Sequence, residues 1–111
     1  MRSIQSLGYE GGDDFDCWLS ALNFMIDSMK EINFDIALIG AGAYGLPLAS
    51  ECKKMGRSAI HLGGSLQLLF GIKGKRWDNC GLYNDHWIYP FPTDTPKDFL
   101  NVEDGCYWGE K

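Results

Sequence analysis

Phe34-Asp35-Ile36-Ala37-Leu38-Ile39-Gly40-Ala41-Gly42-Ala43-Tyr44-Gly45-Leu46-Pro47-Leu48-Ala49 is the stretch that decides how the rest of this chain reads. A short apolar run, 34–39, leads directly into Gly40-x-Gly42-x-x-Gly45, which predicts a buried strand entering a tight turn. Over 44–55, Leu48, Cys52 and Met55 share one helical face while Lys53 and Lys54 point away. Pro47 is tolerated in the first turn of such a helix, and Gly56 suits its left-handed cap. Ala59-Ile60-His61-Leu62 then supplies a second strand over 58–62, close enough behind the helix for a parallel strand-helix-strand unit.

Both strands run into glycine: 40–45 after the first and Gly63-Gly64-Ser65 after the second. In a parallel pair these loops emerge at the same carboxyl edge, where open sheets bind ligands. Glycine there permits the backbone to approach a phosphate, and helix N-termini present unpaired N–H groups to it. Gly40, Gly42, Tyr44, Gly45, Gly63, Gly64, Ser65 and Gln67 are therefore candidate anion-binding residues; the alternative is glycine serving only tight strand-to-helix turns. Tyr44, Trp77 and Trp87 are candidates to stack on a base or sugar ring, or else fill the core. His61 is a candidate general base at the same edge, or a hydrogen-bonded core histidine. A dinucleotide fold wants an acid at the end of the second strand, where this chain has His61-Leu62, and the lysine of a P-loop is missing because Leu46-Pro47 follows Gly45. Nicotinamide and NTPase chemistry are both disfavoured.

Upstream, Trp18, Leu19, Leu22, Met25, Ile26 and Met29 recur at helical spacing, predicting an amphipathic helix over 16–31. Asp13, Asp14 and Asp16 precede it as candidate caps. Asp14-Phe15-Asp16 also matches the Asp-x-Asp pattern with which many sugar-nucleotide transferases hold a divalent metal, so Asp14 and Asp16 are candidate metal ligands. Leu66, Leu69 and Phe70, with a stop at Gly71, predict a second short helix. Beyond Gly71 the periodicity fades into about forty residues rich in glycine, proline and aromatic side chains, too aromatic for disorder but irregular.

The 111 residues, 45% hydrophobic and 23% charged, suit one α/β domain over 1–111 and exclude collagen-like, coiled-coil and wholly disordered classes. The uncharged stretch 36–50 falls short of the roughly 20 apolar residues that span a bilayer. Residues 1–14 hold no apolar signal core, which makes the cytoplasm the expected compartment. Cys17, Cys52, Cys80 and Cys106 lie 35, 28 and 26 residues apart and form no zinc signature. Net charge is -5, yet Lys53, Lys54, Arg57, Lys73, Lys75 and Arg76 fall in 52–77 without an acid. The remainder carries four basic residues against fifteen acids, or -11. One basic island on an acidic chain does not suit a nucleic-acid backbone but can concentrate a compact anion, and Lys73, Lys75 and Arg76 are its candidate ligands.

These blocks, with Leu69-Phe70-Gly71-Ile72-Lys73-Gly74-Lys75-Arg76-Trp77 and the ending Val102-Glu103-Asp104-Gly105-Cys106-Tyr107-Trp108, resemble the C-terminal portion of bacterial GT-D-type glycosyltransferases. The resemblance spans most of 16–108. It implies a Rossmann-like partial sheet, a nucleotide-sugar partner such as a UDP-sugar, and transfer of the sugar to an acceptor of unspecified identity. GT-D enzymes hold metal and UDP-sugar with an Asp-x-Glu motif, which is not found in these 111 residues. The resemblance thus implies a truncated or split enzyme, with Mn or Mg ligands in an N-terminal part. Two strands alone leave a sheet unfinished, so self-association or a missing N-terminal segment is expected. Two other classes stay open: a non-catalytic nucleotide-binding or assembly module, and a nicotinamide-dependent oxidoreductase fragment.

Overall fold

A computed structural model describes residues 1–6, 11–12 and 14–109. The chain divides into two compact units, Met1–Leu66 and Gln67–Lys111. The first is α/β: helix α1 (Trp18–Lys30), strand β1 (Ile36–Ile39), helix α2 (Gly45–Lys54) entered through a 3-10 turn at Gly42–Tyr44, and strand β2 (Ser58–His61). The strands pair in parallel, Ile36 with Ser58 through Ile39 with His61.

In α1 the buried stripe is Ala21, Leu22, Met25 and Met29, with Trp18 and Ile26 packed at its margin. Leu19, expected on this face, is 57% exposed. At 3.6 residues per turn it falls roughly 100° from the stripe's centre, while the small Ala21 takes the closest approach. Asp14 and Asp16 do not cap it either. Cys17 is the N-cap, no acid lies in the first turn, and the cap is closed by Ser20, whose Oγ donates to the Cys17 carbonyl (2.9 Å) and accepts from the Cys17 N–H (3.2 Å). Asp14 and Asp16 are exposed, and Asp13 lies outside the described residues.

Helix α2 buries Leu48 and Cys52 against α1 and the sheet, with Pro47 in its first turn, where an N–H has no helical acceptor. It stops where expected: Gly56 has φ +74°, its N–H reaches the Lys53 carbonyl, and the Arg57 N–H reaches that of Cys52. Ala37, Ile39 and Ala59 face this core. Ile36, Leu38 and Ile60, on the other face of the pleat, are 58%, 44% and 50% exposed.

After β2 the chain winds through Gly63–Phe70 as a 3-10 segment rather than an α-helix, ending at Gly71 with φ +66°. The second unit holds no extended strand pair among its described residues, only a parallel bridge between Ile72 and Ile88. Its order comes from aromatic packing and one backbone clip. Trp108, 7% exposed, meets Phe99 and Tyr107 edge-on at 5.7 and 6.0 Å, and its indole N–H donates to the Asp94 carbonyl. The carbonyls of Cys106, Tyr107 and Trp108 accept in turn from the Arg76 N–H, the Gln67 Nε2 and the Lys75 N–H at 2.9, 3.1 and 3.0 Å. No helix among the described residues is long and apolar enough to cross a membrane.

Candidate functional site

The register fixes where the two glycine loops meet. Ile39 and His61 are partners at the ends of their strands, and the Leu62 N–H continues the pairing to the Ile39 carbonyl at 2.8 Å. The chain therefore leaves both strands side by side. A Cβ placed on Gly40 would lie 2.7 Å from the Gly63 carbonyl oxygen and 2.9 Å from Leu66 Cβ. Glycine at position 40 is required because the second loop is packed on it, which a sequence motif cannot distinguish from the approach of a ligand.

Gly42 and Gly63 have a different reason to be glycine. Both lie in the left-handed region, at φ +49° and +59°, and among the described residues nothing beyond their own chain neighbours comes within 4 Å of where a side chain would begin. The space over these two residues is open. The amides of Gly42 and Ala43 precede the first helical bond of this segment, Tyr44 N–H to Ala41 carbonyl at 3.0 Å, and those of Gly63 and Gly64 head the second 3-10 segment. Ser65 lies beside them, its hydroxyl donating to the Leu62 carbonyl at 2.6 Å. Gly45 is glycine for a third reason: the His61 imidazole occupies the place its Cβ would take. His61 is thus held against the first residue of α2 while remaining an exposed residue.

Other candidates are engaged elsewhere. Tyr44 is 3% exposed, stacked on Trp18 at 5.0 Å with an interplanar angle of 7°, and its hydroxyl meets Ser6 Oγ at 2.5 Å. It anchors the first loop from below and offers no ring face to a ligand. Gln67 spends its side-chain amide within the second unit on the carbonyls of Lys73 (3.0 Å) and Tyr107 (3.1 Å). Arg76 pairs with Glu103, donates to the Tyr107 hydroxyl at 3.1 Å and lies over that ring at 4.9 Å. The Lys73 ammonium sits 5.4 and 5.5 Å from the rings of Tyr83 and Tyr89, whose hydroxyls both donate to Asp78 Oδ1 at 3.0 Å. Lys75 is exposed, and its backbone N–H forms part of the clip to Trp108. Lys73 and Arg76, and Lys75 through its backbone, are thus built into the second unit's own contacts, and Trp77 and Trp87 pack there on Tyr107 and Tyr83.

Glu103 was not singled out by any pattern, yet it organises this second cluster. It accepts from Arg76 and from the Tyr107 hydroxyl (3.0 Å), and the Tyr107 bond, followed by Arg76, holds its carboxyl below the usual carboxylate range. Glu103 and Asp104 are left-handed at φ +48° and +55°, a costly geometry for side-chain-bearing residues. Its only signal in sequence is the turn-forming Asp104-Gly105.

As for metal, no group of three or more His, Cys, Asp or Glu side chains comes together among the described residues. Asp14 and Asp16 therefore form no multidentate site with a described third ligand. The four cysteines are free thiols. No family model, curated protein or solved structure matches the chain, and the site rests on its own geometry.

Proposed function

We propose that the paired loops bind the diphosphate of a nucleotide-sugar, such as a UDP-sugar, and that the first unit is the nucleotide-binding core of a GT-D-like glycosyltransferase with a Rossmann-like strand-helix-strand arrangement. The observation that carries this reading is the abutment of Gly40 on the Gly63 carbonyl, with left-handed, open Gly42 and Gly63 on either side of it. Two helix-like N-termini then share one edge, and their amides suit the charge that develops on a departing diphosphate. Such donors are fixed in the backbone and need no reorganisation as the sugar moves to an acceptor hydroxyl. His61, held at Gly45, is the side chain placed to accept that hydroxyl's proton. Tyr44 positions the loop instead of contacting the nucleotide.

A second reading, a nucleotide-binding module without turnover, is favoured by the engagement of Gln67, Lys73 and Arg76 in contacts of their own unit. Titration calorimetry with UDP, uridine and NADH separates the readings, followed by a sugar-transfer assay. Gly42→Asn and Gly42→Asp both tolerate a left-handed backbone and enter open space, so circular dichroism should be unchanged in each. Asp adds a charge beside the diphosphate and should weaken UDP binding by at least about tenfold relative to Asn. Equal UDP affinity in the two variants would remove the site from this loop, and preference for NADH would replace the proposal by the oxidoreductase.

A further inference from the structure

Beside the glycine loops, the first unit holds a cleft of about 240 Å³ that starts at Gly40 and Ala41 and runs between the end of β1 and the end of α1. We propose that this cleft receives the aliphatic chain of a phosphorylated amphiphile, an alkyl or prenyl phosphate, whose phosphate lies at the first glycine loop. The phosphate half rests on the anion reading of the loops, whereas the chain half rests on the cleft itself. Its floor is Met29, Ile39 and Leu48, all buried, and its walls include Ile32 and Leu38, 42% and 44% exposed. Among the described residues no charged side chain lines it, and Ser3 is the polar side chain that does.

The lining selects among ligand parts. A nucleobase needs several hydrogen-bond partners and gains most from an aromatic face. The aromatic side chain among its described lining residues is Phe34, and the Arg57 guanidinium already covers one of its faces at 4.4 Å. A flexible hydrocarbon needs neither, and the unbranched thioethers of Met1 and Met29 adapt to its shape. The volume equals that of about eight waters at ~30 Å³ each, which suits a chain of similar carbon count. Because Gly40 and Ala41 belong both to the cleft and to the loop, a chain in the cleft leaves its head group at the loop amides. Because this head group and the UDP diphosphate use the same amides, the two ligands compete, and in the proposed reaction the lipid-linked phosphate is an alternative sugar donor that leaves as the alkyl or prenyl phosphate when its sugar passes to the acceptor hydroxyl.

The test is calorimetry on the 111-residue protein with n-butyl, n-hexyl, n-octyl and n-decyl phosphate below their micellar concentrations, with the corresponding soluble alcohols and UDP in parallel. Each added methylene should tighten phosphate binding by about fourfold up to roughly eight carbons and no further. Ile32→Glu, a change at a part-exposed wall position, should flatten the series and leave UDP affinity as it was; Ile32→Leu should keep the slope. A flat series beside normal UDP binding overturns the cleft assignment and leaves the loop reading standing, as does a slope that survives Ile32→Glu. Chain-dependent binding that is equal for alcohols and phosphates, without UDP binding, overturns the anchoring of the head and the loop reading with it.

Discussion

Gly40 and Gly42 belong to one motif, but the structure gives them opposite physical roles, and substitution separates the two. An alanine Cβ at 40 would lie 2.7 Å from the Gly63 carbonyl and 2.9 Å from Leu66 Cβ. Ordinary carbon contacts lie near 3.5 Å, so one loop must retreat by about 0.8 Å from a backbone atom that has little freedom to yield. Overpacking of this kind costs about 1–3 kcal/mol, offset by the roughly 0.4–1 kcal/mol that replacing glycine removes from the unfolded chain's entropy. The net is centred on about 1.3 kcal/mol, which for a unit of this size lowers the melting temperature by roughly 5–10 °C. At 42 the space is open and the cost lies in φ +49° alone, about 1–2 kcal/mol for alanine and less for asparagine, which tolerates this region. The discriminating assay is thermal unfolding followed by far-UV circular dichroism over Ala and Asn at both positions. Size should dominate at 40, with Asn worse than Ala; conformation should dominate at 42, with Asn better than Ala. A Gly40→Ala melting point within a degree of the parent, or the same Ala-to-Asn order at both sites, would refute the packed-loop geometry.

Three further outcomes are expected. The Ser20 hydroxyl bonded to the exposed Cys17 thiol lowers its pKa, while burial raises those of Cys52 and Cys106; iodoacetamide at neutral pH should therefore label Cys17 faster than either, and Ser20→Ala should slow that labelling near pH 7 but not at pH 10. Glu103 is depressed below its unfolded value, so its contribution to the second unit is complete above about pH 4.3 and is lost as pH falls through the lower folded value; Glu103→Gln should remove this acid-dependent part of the near-ultraviolet aromatic signal. Gln67→Leu keeps the volume but leaves the carbonyls of Lys73 and Tyr107 without their donor, and should cost about 1–3 kcal/mol in urea unfolding monitored by tryptophan fluorescence, whereas an unchanged midpoint would show that the clip is not holding Tyr107.

What could be read from sequence was local. The β1-to-β2 unit is encoded by features within about thirty residues: apolar runs of strand length, glycines at their ends, a helical stripe of Leu48 and Cys52, and the left-handed stop at Gly56. Which of its two open roles Tyr44 takes is decided far away in sequence, because the residue that meets its hydroxyl, Ser6, and the ring that covers it, Trp18, lie 38 and 26 positions away. The Arg76–Glu103 pair and the Gln67 clip are of the same long-range kind, formed by side chains whose spacing follows no period. Cys17 displaced the aspartates as cap through the Ser20 hydroxyl, a contact that composition at the helix start does not rank above an acid. The second unit escaped because 3-10 turns and aromatic edge contacts leave no repeat of two or 3.6 residues to find.

The central claim, a diphosphate site at the shared edge of the two loops, is tested most directly by following backbone amides in a ¹⁵N-labelled protein during titration with UDP. Saturable shifts should be largest at Gly42, Ala43, Gly63 and Gly64, with uridine producing much smaller ones at equal concentration. Saturable shifts confined to residues outside both loops, or none at millimolar UDP, would contradict the account.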